Sequence, residues 1–219
     1  YAKLYPGANG FVFTFVGNID PETLKPLVEK YIGSIPAARK PINYVDDKAY
    51  PVKGEVTEEF TAPMQQPKVS VNYHFSGEMP YTLKNKMALT FLTQALNSRY
   101  LVSIREEKGG TYGVRVQGST KYIPRETYSM TISFDTNEEM ADELREIEEI
   151  AANGPKSEDI EKNREFMLKS WKNSLEQNGA WMNYIQIKYG SGLNYIADHE
   201  QAIRDLTNAD VQALAKKIL

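Results

Sequence analysis

The stretch Arg105-Glu106-Glu107-Lys108-Gly109-Gly110-Thr111-Tyr112-Gly113 joins a charged run, a double-glycine turn and an aromatic hydroxyl at the start of an alternating segment. A turn at the glycines brings the Arg105 fork and the Tyr112 hydroxyl to one sheet edge. Both groups donate hydrogen bonds there, and neither accepts a proton readily near neutral pH. Such a pair suits gripping a peptide carbonyl, or stabilising an oxyanion that another group creates. The same residues are also satisfied if Arg105 pairs with a helix acid and Tyr112 is an ordinary strand aromatic, so the local pattern leaves both readings open.

Other chemistries find less support. The chain has no cysteine, which removes disulfides, thiol nucleophiles and thiolate metal sites together. Only His74 and His199 remain as imidazoles. His199-Glu200 opens like the H-E-x-x-H zinc helix, but Ile203 stands where the second imidazole belongs. Both histidines therefore read as surface or capping residues. The acids Glu138, Glu139, Asp142, Glu143, Glu146, Glu148 and Glu149 interleave with Met140, Leu144 and Ile147, which reads as the solvated face of an amphipathic helix. The glycines form no phosphate-binding pattern, and the serines form no nucleophile elbow.

The elements that must position Arg105 and Tyr112 follow from periodicity. Leu83, Met87, Phe91 and Ala95, supported by Leu92 and Leu96, predict a long helix towards Arg99, with a short helical stretch to Arg105. Tyr112/Val114/Val116 and Tyr128/Met130/Ile132/Phe134 alternate on either side of a polar turn containing Pro124, which predicts a hairpin. Val69, Val71, Tyr73 and Phe75 alternate with Ser70, Asn72 and His74, predicting a strand with one core face, and residues 55–60 are expected to partner it. Upstream, Phe11–Val16 reads as a buried strand, followed by a helix with Asp20 as N-cap and Pro21 at its first position. Beyond Thr136 the pattern is helical, and Thr207 to Asp210 resembles a capping box. Grouped antiparallel strands followed by helices predict an α+β fold, an antiparallel sheet covered by helices.

Composition sets the outer bounds. With 219 residues, 26 Lys+Arg against 29 Asp+Glu and a net charge of -3, the chain offers no excess positive field to a phosphate backbone, and nucleic acid is not an expected partner. Its 41% hydrophobic and 25% charged residues are ordinary globular values. The most apolar stretch, Phe11–Val16, is far short of the roughly 20 residues of a membrane helix, so no membrane partner is expected. The opening at Tyr1 reads as a piece of something longer.

Three stretches together resemble the M16 zinc metallopeptidases, the group of pitrilysin, insulin-degrading enzyme and mitochondrial processing peptidase. The first is Phe11–Asp20 with the helix after it, ending in Tyr31-Ile32-Gly33-Ser34-Ile35-Pro36. The second is Leu101–Val114, with Arg105, Glu106, Gly109 and Tyr112 in the family's register. The third is Leu206–Val211 leading into Leu214–Leu219.

The resemblance implies an M16 metallopeptidase-like (LuxS/MPP-like) domain of the non-zinc kind, because H-x-x-E-H is missing. It implies residues 1–36 as the closing strand–helix unit of a preceding domain, 37–51 as a linker, and 52–219 as the next domain without its own closing unit. Phe11–Val16 is then expected to fill the vacant sheet edge, from this chain or from a second copy, which also allows self-association through that edge. No catalytic residue and no metal is expected in this fragment alone. Arg105 and Tyr112 resemble the substrate-binding pair, zinc is expected in another domain of the parent, and the implied partners are that zinc-bearing domain and a peptide or unfolded polypeptide. A periplasmic or cell-envelope setting follows only from the resemblance. Two other functions compete: an inactive M16-like scaffold or partner-binding module, and a free-standing peptide- or glycan-binding protein using the 14 tyrosines.

Overall fold

A computed structural model describes residues 5–37, 45–63, 69–102, 114–136 and 145–219. Its elements run α1 (Pro21–Tyr31), β1 (Val69–Glu78), α2 (Leu83–Tyr100), β2 (Val114–Lys121), β3 (Thr127–Thr136), α3 (Arg145–Asn153), α4 (Ser157–Ser174), α5 (Asn178–Ser191), α6 (Tyr195–Asp205) and α7 (Asn208–Ile218). The fold is α+β. Two compact units divide the chain: Ala49–Ser170 with Ala197–Leu219, and Tyr1–Lys48 with Trp171–Ile196.

The larger unit is built on an antiparallel sheet of order β1-β3-β2. Alternation decides its faces. Val71↔Phe134, Tyr73↔Ile132 and Val116↔Ile132 pair on one side, where Val116, Met130, Ile132 and Phe134 are buried. Helix α2 lies on β2 and also packs against α3 and α7. A one-sided stripe was expected on α2. Instead Ala88, Leu89, Thr93 and Tyr100 are buried along with Met87, Phe91, Leu92, Ala95 and Leu96, because the helix is covered by elements on more than one side. Full burial of each large side chain contributes about 1.5–3 kcal/mol.

Gly118 sets how closely α2 can approach. A Cβ at Gly118 would sit 2.8 Å from Leu89 Cγ and 2.9 Å from Thr93 Cγ2. Gly118→Ala is therefore expected to destabilise the fold by about 1–3 kcal/mol, read as a lowered urea midpoint at unchanged slope. Retention of the wild-type midpoint would show that α2 can lift off β2 at little cost.

Local signals close the ends of this unit. Thr82 caps α2 through the Asn85 amide, and Thr207 and Asp210 form the expected capping box at α7. Arg125 Nη2 donates to the Ala49 carbonyl at 2.7 Å, and its guanidinium lies 3.6 Å above the Tyr50 ring, tying that stretch to the β2–β3 turn.

In the smaller unit, Asp20 caps α1 by accepting from the Glu22 and Thr23 amides. Trp171, Tyr184 and Tyr195 stack at 5.0 and 5.5 Å between centroids, and Trp181 Nε1 donates to the Leu175 carbonyl. Helix α5 ends at Gly192, which takes the left-handed conformation of a C-cap.

Three expectations fail. Phe11–Val16 joins no strand of the described sheet, and Phe11, Val12, Phe13 and Phe15 are 45–60% exposed. The buried strand expected there is thus not formed. Residues 55–60 likewise form no strand, so β1 has no partner from them. Glu146 is buried rather than solvated. It lies four residues from Ile150, on the buried stripe of α3, with Arg145 Nη2 3.3 Å from its carboxylate.

Candidate functional site

Arg105 and Tyr112 lie in 103–113, outside the described residues. The structure does define what stands at both ends of that segment: the last turn of α2 before it, and the first residues of β2 after it.

Asn97, in that last stretch of α2, bonds β2 directly. Its Nδ2 donates to the Val116 carbonyl at 2.9 Å, its Oδ1 accepts from the Val116 amide at 2.8 Å, and Nδ2 also reaches the Thr93 carbonyl at 2.9 Å. Both backbone groups of Val116 thus point away from β3, and the carboxamide occupies the position of a neighbouring strand. Two residues on, Arg99 is nine-tenths buried, with Nη1 3.7 Å from Glu149 and Nε 4.0 Å from Asp159. These are ion pairs rather than hydrogen bonds, and they join the end of α2 to α3 and α4. Neither residue stood out in the sequence. The available signal was polar side chains at 97 and 99 beside the buried Leu96 and Tyr100, in a helix otherwise committed to core.

The sheet face away from α2 is polar throughout. Its rows are Asn72–Ser133–Arg115, His74–Thr131–Gln117 and Ser76–Ser129–Ser119, and the outer strands' residues in the first two rows are exposed. His74 Nδ1 lies 3.1 Å from Thr131 Oγ1, Ser119 and Ser129 hydroxyls are 2.9 Å apart, and Ser70 donates to Asp135. Hydroxyls and amides with the charged Arg115 and Asp135 make this a hydrogen-bonding surface, and Arg115 is the second residue of β2.

The donors among the described residues do not fit a resident zinc ion. Among the described residues no three His, Asp or Glu side chains converge as metal ligands. His74 is a surface residue of β1, as expected. His199 is not: it is half-buried on α6. Burial, and then the charge of Lys86, push its pKa down to about 4.

That shift gives stability a pH dependence. The unfolded chain binds a proton near pH 6.5 and the folded chain near 4, so the contribution of neutral His199 is complete above 6.5 and is lost as pH falls towards 4. With the imidazole partly exposed, about 1–2 kcal/mol is the expected loss. Unfolding curves of wild type and His199→Gln across pH 4–7 check it: the difference should shrink with acid, and parallel curves would refute it.

Comparison with known proteins supplies the family. The description "Peptidase M16 inactive domain" matches residues 1–167. A zinc protease PQQL-like protein of Arabidopsis thaliana is 27% identical over 201 residues, covering 83% of this chain and 21% of its own length. The crystal structure of the periplasmic protease PqqL from Escherichia coli matches 93% of this chain and 23% of its own, at TM-score 0.71 and 20% identity. A mutant of the ferredoxin protease FusC, solved in complex with Arabidopsis ferredoxin, matches 92% of this chain and 23% of its own, at TM-score 0.66 and 17% identity. The chain thus spans 21–23% of the length of these relatives. Among the described residues no helix is long and apolar enough to cross a membrane. The match runs from α1 through the sheet into α4 and takes in the whole Leu101–Val114 stretch, and the chain belongs to the M16 peptidase family as one of its inactive domains.

Proposed function

We propose that this chain is the substrate-binding, non-zinc part of a larger M16-type zinc metalloendopeptidase, with Arg105 and Tyr112 binding the peptide backbone and polarising its carbonyl. The observation that carries the reading is the exposed polar sheet face reached from the same strand, β2, that follows Tyr112. An extended polypeptide presents alternating amide donors and acceptors, and a hydroxyl- and amide-lined surface can meet them without demanding one side-chain sequence. The FusC structure, solved with a protein bound, supports a polypeptide as the substrate. Zinc and the group that it activates belong to another domain in this reading, since the donors described here do not fit the metal.

The domain boundaries follow the same reading: residues 1–36 close a preceding domain, 37–51 link, and 52–219 form the next. The exposed side chains of Phe11, Phe13, Leu27 and Tyr31 are then core residues of the preceding domain, and α1, which buries nothing here, packs there. The periplasm or cell envelope is the compartment that the PqqL relative suggests.

Hydrolysis of an unstructured peptide by the zinc-bearing part of the parent, with and without this chain and with binding measured separately, tests the proposal. Restored hydrolysis supports a working substrate site. Binding without any change in rate makes the chain an inactive scaffold.

A further inference from the structure

Lys84 and Lys86 leave the first turn of α2 two residues apart and meet opposite surroundings. Lys84 is exposed and ion-paired, its Nζ 2.7 Å from Asp210. Lys86 is half-buried, and its described hydrogen bonds go to hydroxyls: Nζ donates to Thr120 Oγ1 at 3.0 Å and to Tyr81 Oη at 3.2 Å. The amine also lies 4.5 Å from the centroid of the Tyr81 ring, which Tyr122 backs at 5.1 Å between centroids. From α6 the neighbour is His199, near enough to feel the Lys86 charge and itself uncharged at neutral pH.

These surroundings decide which protonation state each amine can keep. A carboxylate only accepts, so Asp210 favours the ammonium of Lys84. A hydroxyl accepts from an ammonium and can also turn to donate to the lone pair of a neutral amine, so Thr120 and Tyr81 can satisfy Lys86 in either state. Half-burial takes water from the ammonium and holds the Lys86 pKa below the ordinary lysine value. The first turn of α2 carries no acid, and the positive pole of the helix lies there. The Tyr81 ring attracts the cation and opposes this in part. Lys162 resembles Lys84 instead, with Glu158 at 2.6 Å raising its pKa.

A desolvated lysine amine is the form that attacks a carbonyl carbon. We infer that Lys86 is an acylation site, taking the acyl group of a small activated donor, an acyl phosphate, ahead of the ion-paired Lys84 and Lys162. In that step the Lys86 lone pair forms a C–N bond to the acyl carbon, the acyl C–O bond breaks, phosphate leaves with its electron pair, and the proton shed by nitrogen passes to solvent. The product amide is uncharged and keeps one N–H for two hydroxyls, so acylation loosens the tie between α2 and the end of β2.

The full-length protein treated with acetyl phosphate to low conversion, at about pH 8 where ordinary lysines are mostly protonated, tests this by mass spectrometry of the lysine peptides. Lys86 is expected to react at least about threefold faster than Lys84 and Lys162, with the rates converging when the protein is unfolded in urea. Thr120→Val takes an acceptor from the ammonium and should leave the Lys86 rate unchanged or raise it. Thr120→Asp sets a carboxylate beside the amine and should bring the rate down to that of Lys84. A Lys86 rate equal to or below those of Lys84 and Lys162 overturns the inference, as does an advantage that persists in urea or survives Thr120→Asp. Should Thr120→Asp fail to fold, Thr120→Val decides, and a Lys86 rate reduced there by more than about twofold overturns the inference equally.

Discussion

Arg164→Met is expected to lower the unfolding free energy by about 3 kcal/mol. Arg164 is on α4, but its guanidinium serves α6. Nη1 donates to the carbonyls of Ile203 and Arg204, the latter at 2.8 Å, and Nη2 donates to Leu206 at 2.9 Å. These are carbonyls at the end of α6 that lack helical partners. The positive charge also sits at the negative pole of that helix. Glu161 holds the fork from the other side at 3.2 Å, and the side chain is 16% exposed. Removal thus strands the acceptors of the buried Ile203 and Leu206 and leaves that of the exposed Arg204 to water. Lysine cannot replace the function, because one ammonium cannot address three carbonyls in a plane, and Arg164→Lys should recover at most about a third of the loss. Thermal unfolding followed by circular dichroism should show a fall of roughly 6–12 °C for Arg164→Met. A fall of under about 2 °C would mean that the carbonyls find other donors.

Arg164 also marks where sequence reasoning stops. On α4 it is three residues from Glu161 and reads as one half of a solvent-facing ion pair. Nothing local connects it to carbonyls some 40 residues away. The same limit explains Glu146 and His199, whose burial is decided by what packs over α3 and α6 rather than by their own helices. Short-range chemistry was legible: the capping box at Thr207, the helix start at Asp20 and the β2–β3 hairpin depend on neighbours within a few residues, and each stands where its pattern put it. Strands are the intermediate case. Val69–Phe75 finds β3 and becomes β1, whereas Phe11–Val16, with a stronger strand composition, finds no ladder in this sheet and stays irregular. Propensity proposes a strand, and only a partner makes one.

Residue type and spacing drew attention to Arg105 and Tyr112, whereas the hydrogen bonds from Asn97 to β2 left no mark in the sequence. An asparagine inside a helix is a neutral polar residue by any local measure. Its importance here comes from Val116, on a different element. Contacts between elements are in general harder to read from a sequence than chemistry-bearing groups, since the first are a property of tertiary packing and the second of side-chain type.

The prediction with the largest functional effect follows from the Tyr112 hydroxyl. Tyr112→Phe in the full-length protein is expected to lower kcat about 100- to 1000-fold, with KM and melting temperature nearly unchanged. The substitution removes one oxygen and keeps the ring, so packing is conserved and what is lost is a donor. If that donor bound the ground-state carbonyl and the transition state equally, KM would rise and kcat would stay; a donor that meets charge only as it develops shows the opposite. Arg105 separates the two cases further. Its guanidinium can hold backbone carbonyls before the reaction begins, so Arg105→Ala is expected to act mainly on KM. On the proposed substrate-binding reading, Tyr112 serves the rate and Arg105 serves binding. Equal losses in kcat and KM from both variants would instead point to a common structural task, and the scaffold reading would then account for the chain.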